Sequence, residues 1–340
     1  MSLSLGPFQI DHPFLLAPMA GITNSPFRRL MRKMGSSIVI SELISANGYQ
    51  HGSEKTIQMF QFHDDERVVG IQIFSEYPEN LCAAAQYVEK IGADFVDLNL
   101  GCPVPKVVKK GAGSAMCRDP IALGKVLSEI KSAIKIPLTI KIRTGWDSQS
   151  INAHEVVKVA ADSGVSWVAV HGRTRAQGYQ GLADWDYIGE VKAKSLIPII
   201  GNGDLNTPEV AVEKVKLYGL DAVMLGRGAL RNPFIFRQCE ALWSGREYKQ
   251  PEIKEYLQLI EDQKVLLESV FTEEKALLHS KKFLSWYSSG FPGAHDFRKK
   301  VFSEKDPKNI WNLGREFFLL NSEKRTTSYL SGPFLMGGHG

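Results

Sequence analysis

Short apolar runs alternate with amphipathic stretches over roughly the first 240 residues of the chain. The amphipathic stretches carry helix-start signals, such as Asn24 and Thr207 in N-cap positions, followed by Pro26 and Pro208 in first turns. Continuous apolar strands that alternate with helices are typical of a parallel sheet. The predicted strands are 14–18, 37–41, 68–74, 95–100, 138–142, 167–172, 197–203 and 221–228, and the predicted helices include 24–34, 78–91, 119–135, 152–163, 207–218 and 232–242.

Eight strand–helix units over this length predict an α/β fold, a closed (β/α)8 TIM barrel. The alternative is an open doubly wound sheet, which requires a glycine-rich turn after its first strand. The first predicted strand instead runs into Pro18-Met19-Ala20-Gly21, which is not a GxGxxG turn. The barrel is therefore the preferred prediction.

The pattern changes after residue 244, where apolar residues keep helical spacing only. Segments 252–271, 273–289 and 307–320 are predicted as helices, and no strand-like run occurs among them. We therefore predict a barrel followed by a smaller all-helical domain. The predicted parts are a barrel over residues 1–243, a helical domain over 244–330 and a flexible tail over 331–340.

Composition and charge exclude few classes of protein. With 44% hydrophobic residues among 340, the chain can bury a large core, and its net charge of +4 permits a polyanionic partner without requiring one. The first residues lack the basic and apolar regions of a signal peptide, and no apolar run is long enough to cross a bilayer. We expect a cytoplasmic protein without membrane association.

The cysteines do not form a metal or disulfide pattern. They show no CxxC spacing and no histidine at zinc-site distances, so we expect no metal site and no disulfide. Cys102 nevertheless lies directly after a predicted strand, between Gly101 and Pro103. A buried core thiol and a reactive thiol both remain open for it at this point. The four cysteines are Cys82, Cys102, Cys117 and Cys239.

The ends of the last two predicted strands indicate a phosphate site. In a barrel, ligands bind at the carboxyl ends of the strands, often as a phosphate on the loops after strands seven and eight. The segments GNGD (201–204) and GRG (226–228) supply glycines for close backbone approach, and Arg227 supplies a cation. Tight turns alone are the alternative explanation of these glycines.

Other strand ends carry polar side chains that suit a planar cofactor. Lys141 and His171 end the fifth and sixth predicted strands, and Gln72 and Asn99 lie at the ends of the third and fourth. Together they predict a polar ring above an apolar barrel. Such a ring suits a flavin with one phosphate, because a cation such as Lys141 stabilises the reduced ring system.

Five segments in chain order carry a recognisable pattern. They are APMAGITNSPFRRL (17–30), DLNLGCPVPKVVKKGAGSAM (97–116), VHGRTRAQGYQGLADW (170–185), IPIIGNGDL (197–205) and DAVMLGRGALRNPFIF (221–236). Together they resemble the tRNA-dihydrouridine synthase family, most closely its bacterial B-type branch. The resemblance extends over roughly residues 8–240 and, less specifically, through about residue 320.

The resemblance implies an activity and a set of site residues. Members of the family carry noncovalent FMN in a barrel, bind tRNA with a helical domain, and reduce the C5–C6 double bond of uridine with NADPH. The family's proton-donating cysteine corresponds to Cys102. No protein partner is implied. The family's cofactor contacts correspond to Pro18, Met19, Ala20, Gln72, Lys141, His171, Asn202, Gly203, Asp204, Gly226 and Arg227.

The predicted reaction needs an acid at the uracil ring. Hydride addition at C6 leaves negative charge at C5 and O4, and a proton must then reach C5. A thiol of ordinary pKa is mostly protonated at neutral pH, so Cys102 can donate that proton as a general acid.

The predicted RNA contacts come from basic residues. Residues 275–300 contain six lysines and arginines against one acidic residue, a local net charge of +5. A solvated face, with Trp286 as a core residue, is the alternative. Phe283 stands where B-type relatives commonly carry histidine. The candidate substrate and RNA residues are Asn99, Lys106, Arg143, Arg173, Arg175, Lys281, Lys282, Trp286, Arg298 and Lys299.

Two other functions remain open from the sequence. A flavin barrel acting on a free pyrimidine or another small enone would not need a basic helical appendage. A tRNA-binding or folding factor with little activity would not need Cys102. The uridine position, the tRNAs preferred, the oligomeric state and the choice between NADPH and NADH do not follow from these motifs.

Overall fold

The computed structural model describes residues 3–321 and 324–326. Within them, helices and strands alternate as the apolar pattern predicts. The strands are β1 Leu3–Leu5, β2 Phe8–Ile10, β3 Phe14–Leu16, β4 Val39–Ile40, β5 Ile44–Ser45, β6 Val69–Phe74, β7 Phe95–Leu100, β8 Leu138–Arg143, β9 Val168–His171, β10 Ile199–Asn202 and β11 Ala222–Leu225. The helices are α1 Ser25–Lys33, α2 Ala46–Gln50, α3 Glu54–Met59, α4 Pro78–Lys90, α5 Pro105–Val108, α6 Pro120–Ala133, α7 Ala153–Asp162, α8 Trp185–Lys194, α9 Pro208–Tyr218, α10 Arg227–Arg231, α11 Ile235–Trp243, α12 Ile253–Val270, α13 Glu273–Tyr287, α14 Ala294–Ser303 and α15 Pro307–Asn321.

Eight parallel strands form a nearly closed barrel. Their order is β3, β11, β10, β9, β8, β7, β6, β4, with β5 as a short addition beside β6. Backbone hydrogen bonds from Leu16 N to Ile38 O and from Ser37 N to Phe14 O link β3 to the segment that leads into β4. The predicted TIM-barrel fold is therefore confirmed, and the carboxyl ends of all eight strands meet at one face.

The helix-start signals act as the sequence indicates. The Asn24 side chain accepts a hydrogen bond from Phe27 N at 3.0 Å, and the Thr207 hydroxyl accepts one from Val210 N at 3.2 Å. Each bond satisfies an amide that the first turn of a helix leaves without a partner.

Several elements were not predicted from the apolar pattern, among them the first two strands and α14. The strands β1 and β2 form an antiparallel hairpin below the barrel, where Phe8 packs against Phe95 and Trp167 at ring-centroid distances of 5.8 Å. The prediction also missed α14, although its buried residues Ala294, Phe297 and Val301 are at helical spacing.

The helical part packs against the barrel through the first and the last βα units. Helix α12 contacts α1, and α13 contacts α10. Phe283 on α13 stacks on Phe27 of α1 with ring centroids 5.1 Å apart. An aromatic residue at position 283 therefore joins the two parts through an apolar contact.

The exact division of the chain stays a prediction. The predicted boundary at residues 243 and 244 falls directly after α11, and the four helices α12–α15 follow it. The predicted end of the helical domain at residue 330 and the predicted tail over 331–340 lie outside the described residues. In the part of the chain that is described, no helix is long and apolar enough to cross a membrane.

Candidate active site

A cavity of about 500 Å³ opens at the carboxyl ends of the barrel strands. This volume is typical of a site for a cofactor or a small ligand. The structure brings every predicted cofactor residue to its wall, together with Cys102, Asn99 and Arg143. The predicted residues that line it are Pro18, Met19, Ala20, Gln72, Asn99, Cys102, Lys141, Arg143, His171, Asn202, Gly203, Asp204, Gly226 and Arg227.

Cys102 lies in the loop directly after β7, half-buried at the cavity wall. Its backbone N–H donates to Asn99 Oδ1 at 2.9 Å, and Ser114 Oγ donates to its carbonyl at 2.9 Å. Burial raises the pKa of the thiol above its ordinary value, although the Val104 backbone and Arg143 act in the opposite direction. The side chain is therefore a protonated thiol at neutral pH.

A chain of hydrogen bonds holds the Cys102 loop to the barrel interior. The carboxyl group of Asp97, which is fully buried, accepts from Gln72 Nε2 at 2.7 Å and from the Thr139 hydroxyl at 2.6 Å, and burial raises its pKa. Gln72 Oε1 in turn accepts from Asn99 Nδ2 at 2.9 Å. Asp97 accepts at one end of this chain, so each amide beyond it presents its N–H₂ group towards Asp97 and its oxygen towards Cys102.

Lys141 extends from β8 into the cavity and donates to Asn202 Oδ1 at 3.0 Å. Asn202 is fixed in this orientation because its Nδ2 donates to Met224 O at 2.8 Å. Burial, with a smaller effect of Arg143, lowers the pKa of Lys141 to about 8. At neutral pH the site thus holds a buried ammonium group.

His171 is neutral in this surrounding. Burial, followed by the nearby cations Lys141, Arg143, Arg173 and Arg227, lowers its pKa well below the ordinary value. Its Nε2 lies 3.3 Å from Arg173 Nη1, and a guanidinium can only donate. The imidazole proton is therefore on Nδ1.

Asp204 pairs with cations at the end of the cavity that the loops after β10 and β11 form. Its carboxylate accepts from Arg173 Nη2 at 2.8 Å and from Ala183 N at 2.8 Å, and it lies 3.4 Å from Arg227 Nη2. The backbone of Asp204 is in the left-handed region at φ 51°. Asp204 stays a predicted cofactor residue, and its carboxylate already pairs with two guanidinium groups.

Two arginines predicted to contact the substrate have other partners. Arg173 is buried and, besides Asp204, donates to Gly181 O at 2.7 Å. Arg143 donates to Gly101 O at 2.8 Å and to Gly178 O at 2.7 Å, although it lines the cavity. Arg143 therefore ties the Cys102 loop to the loop after β9, and Arg173 belongs to the frame around Asp204 rather than to the cavity wall.

Tyr179 is a cavity residue that the sequence interpretation missed. It lies in the loop after β9, with the guanidinium carbons of Arg143 and Arg227 at 5.6 and 5.2 Å from its ring centroid. Its side chain is 43% exposed, so one part faces the open cavity. The sequence signal that could have identified it is an aromatic residue among the glycines and glutamines of this loop.

The remaining candidate RNA residues lie outside the cavity. Trp286 is 7% exposed and packs edge-on against Phe283 at 5.5 Å, which contradicts its use as a surface platform for a base and favours the alternative of a core residue. Lys281 donates to Phe302 O at 3.1 Å. The exposed or half-exposed candidates are Lys106, Arg175, Lys281, Lys282, Arg298 and Lys299.

The described residues include no group of three or more His, Cys, Asp or Glu side chains able to hold an ion. The cavity instead combines a protonated thiol, a buried ammonium, aligned amides and an arginine beside glycine-rich loops. This combination is suited to proton donation next to a planar, anionic or carbonyl-bearing ligand.

Comparison with solved structures identifies the fold. Histamine dehydrogenase from Rhizobium sp. 4-9 aligns with a TM-score of 0.58 at 13% identity, over 78% of this chain and 50% of that one. This chain thus spans about half the length of that protein. DHODH from Eimeria tenella aligns with a TM-score of 0.53 at 15% identity, over 78% of this chain and 85% of that one. At these identities the similarity shows the shared barrel alone.

Comparison with sequences identifies the family. A protein of Rickettsia bellii named "Probable tRNA-dihydrouridine synthase" is 36% identical over 93% of this chain and 98% of its own length. Proteins named "tRNA-dihydrouridine synthase B" are 34% identical in Xanthomonas campestris pv. campestris and 35% identical in Pseudomonas aeruginosa, over 93% and 92% of this chain and 96% and 95% of theirs. The family model described as Dihydrouridine synthase (Dus) matches residues 15–320. The predicted family is confirmed, and this chain belongs to the dihydrouridine synthase family.

Proposed function

We propose that this protein reduces the C5–C6 double bond of uridines in tRNA to dihydrouridine, with FMN as cofactor and NADPH as reductant. The observation that carries the proposal is the position of Cys102, a protonated thiol on the wall of the same cavity as Lys141 and Arg227. The family and its tRNA-modifying relatives support the reaction type and the substrate.

The residues of the cavity fit FMN. Gln72, Lys141 and Asn202 present fixed polar groups for the carbonyl and nitrogen atoms of the ring system. Arg227 and the backbone of Gly203 and Gly226 would hold the phosphate. A Cβ atom at Gly203 would lie 2.5 Å from Ala183 Cβ, so only glycine keeps this part of the wall in place.

FMN, when bound, supplies the hydride that adds to C6 of the uracil ring. Cys102 then donates its Sγ proton to C5, which neutralises the charge left on the ring, and solvent reprotonates the thiolate. The raised pKa keeps the thiol protonated until that charge develops. The chain from Asp97 through Gln72 and Asn99 fixes the backbone N–H of Cys102 and thereby the direction of its side chain.

A uridine within a folded tRNA must leave its stack to enter this cavity, as other base-modifying enzymes require. The cost of unstacking is offset by contacts with the RNA backbone outside the cavity. The basic residues of α13 and α14 are candidates for those contacts, since the helical part adjoins the cavity-forming loop at Asn24, whose Nδ2 is 3.4 Å from His279 Nδ1.

The proposed function is tested by product analysis. Purified protein with FMN, NADPH and unmodified tRNA is expected to form dihydrouridine in amounts equal to the NADPH consumed. Mapping of dihydrouridine in tRNA from a strain that lacks the gene identifies the uridine position that is modified. A protein that reduces a free pyrimidine or another small enone, but leaves tRNA unmodified, would instead establish the small-molecule alternative.

The pKa of Lys141 predicts how FMN affinity depends on pH. Lys141 is an ammonium below about pH 8 and loses its charge above it, so FMN affinity is expected to fall as pH rises through about 8. We expect roughly a tenfold rise in Kd, because a charged hydrogen bond contributes about 1.5–3 kcal/mol. The measurement is fluorescence titration of cofactor-free protein with FMN at a series of pH values.

Lys141→Met provides the matched control for this prediction. Its FMN affinity should be lower and should show no step near pH 8. His171 cannot produce the step, because it is already neutral throughout this range. An unchanged step in Lys141→Met would assign the titration to another group.

Basic residues of α14 are expected to contribute to tRNA affinity. Arg298→Ala combined with Lys299→Ala should raise the Kd for tRNA about 3- to 10-fold and flatten its dependence on salt, because fewer cations then bind phosphate. Filter binding at several salt concentrations measures both quantities. Lys194→Ala, an exposed lysine at the end of α8, is the control, and equal effects of the two changes would place the RNA elsewhere.

A further inference from the structure

Three side chains from three different loops meet at the carboxyl end of the barrel. Arg118 ends the 3₁₀ helix Gly113–Arg118 after β7, Trp146 follows β8, and Arg175 follows β9. The guanidinium carbons of Arg118 and Arg175 lie 4.8 and 4.6 Å from the ring centroid of Trp146. We refer to these three residues as the arginine–tryptophan cluster.

The two guanidinium groups of the cluster are not neutralised. Across residues 3–321 and 324–326, neither Arg118 nor Arg175 forms an ion pair with a carboxylate. The acids next to the cluster in sequence, Asp119 and Asp147, accept hydrogen bonds from backbone N–H groups of their own segments. Arg118 is exposed, and Nε of Arg175 is buried without a hydrogen-bond partner. The guanidinium groups thus keep donors for an anionic ligand.

The cluster lies across the cavity mouth from the helical part. The helical part packs on α1, which follows β3, and on α10, which follows β11, whereas Trp146 follows β8. In the barrel order, β8 is four strands away from β3 in either direction around the ring and three strands away from β11. A strand of RNA that enters from the helical part and crosses the cavity mouth therefore reaches the cluster on the far side.

The cluster is also close to Cys102. Both the N–H and the hydroxyl of Ser114 bond the Cys102 carbonyl, and Ser114 and Arg118 belong to the same 3₁₀ helix. Four residues of such a helix rise about 8 Å, a distance that a few nucleotides span. Three exposed lysines on and after α5, which packs on this 3₁₀ helix, extend the positive surface. They are Lys106, Lys109 and Lys110.

We propose that the arginine–tryptophan cluster is a second RNA contact, which binds the phosphodiester backbone next to the extruded uridine on the side of the cavity opposite the helical part. This inference rests on the proposed function. A planar guanidinium pairs with phosphate through two parallel N–H donors, and the indole ring holds it in a fixed orientation before binding. Contacts on both sides of the cavity secure the strand while one base leaves its stack.

The double change Arg118→Ala with Arg175→Ala tests this proposal. We expect the Kd for unmodified tRNA to rise at least tenfold and the slope of log Kd against log salt concentration to fall by one to two, about one for each phosphate that is no longer bound. Arg118→Lys should keep most of the slope because it keeps the charge. Trp146→Leu should raise the Kd less than the double change, since it removes the ring that orients the two guanidinium groups but keeps both charges.

The chain offers a matched control at the other end of the barrel. Lys216 lies over Trp243 at 5.7 Å, and Trp243 contacts Phe14 at the start of β3, a ring-centroid distance of 6.1 Å. The pair Lys216 and Trp243 lies at the amino ends of the strands, whereas the cavity lies at their carboxyl ends. Lys216→Ala should therefore leave both the Kd for tRNA and its salt slope unchanged.

The outcomes separate this inference from the function on which it rests. A wild-type Kd and slope in the double variant would overturn the inference alone. A lower melting temperature of the double variant with an unchanged salt slope would also overturn the inference, because the cluster would then be structural. A change confined to the KM for NADPH would overturn it as well, because the cluster would then bind a phosphate of the reductant. A wild-type protein that binds no tRNA would overturn the proposed function and this inference together.

Discussion

Cys102→Ala is expected to lower the rate at which reduced enzyme is reoxidised by tRNA by roughly 10²- to 10⁴-fold, the usual contribution of a positioned general acid. The thiol lies at the cavity wall and is kept protonated by burial, so its removal leaves the uracil ring without a proton source at C5. Reduction of the enzyme by NADPH does not use that proton and should proceed at near wild-type rate. Anaerobic stopped-flow absorbance, with prereduced enzyme mixed with unmodified tRNA, separates the two steps.

The other cysteines provide controls for this prediction. Cys82 is half-buried like Cys102 but belongs to α4, on the outside of the barrel, so Cys82→Ala should leave the reoxidation rate unchanged. Cys102→Ser should lose nearly as much rate as Cys102→Ala, because a hydroxyl is a much weaker acid than a thiol. Wild-type reoxidation by Cys102→Ala would show that another group donates the proton.

Arg227→Ala is expected to weaken FMN retention by about 10- to 100-fold, since a charged hydrogen bond to phosphate contributes about 1.5–3 kcal/mol. The fold should tolerate the change, because Asp204 keeps Arg173 as a partner at 2.8 Å. The measurement is the FMN content of purified protein and the Kd from fluorescence titration.

The control for Arg227 is another arginine paired with a carboxylate. Arg246 pairs with Glu240 at 2.5 Å at the end of α11 and is 61% exposed, far from the cavity. Arg246→Ala should retain FMN at the wild-type level. If Arg227→Ala retains FMN equally well, the phosphate is held by the glycine-rich backbone or by another cation.

The barrel could be predicted from local patterns because each strand–helix unit carries its own signals. The strands β6 to β11 begin and end within three residues of the predicted apolar runs, and Asn24 and Thr207 cap their helices as expected. Parallel strands bring their carboxyl ends to one face, so the residues that follow each run had to meet there. This is why Cys102, Lys141 and Arg227 could be placed at one site without coordinates.

Partners that come from different loops could not be predicted in this way. Arg143, Arg173 and Asp204 all follow strands, but whether each faces a ligand or a neighbouring loop depends on the folding of segments up to about forty residues away. The structure shows that Arg143 holds backbone carbonyls and that Asp204 holds arginines. Their expected contacts with substrate and cofactor stay predictions, and both residues line the cavity.

In the helical part, too, the sequence could not decide which side chains are buried. Helical spacing places Trp286 and Lys282 near one face of α13, but only the packing of α13 against its neighbours decides which of them reaches solvent, and Trp286 is the buried one. The apolar period, the caps and the motifs at strand ends were local or repeated signals, and they were sufficient for the barrel, the family and the position of Cys102 at the cavity. The choice of partner for Arg118, Trp146 and Arg175 required three loops to converge, which only the closed barrel brings about.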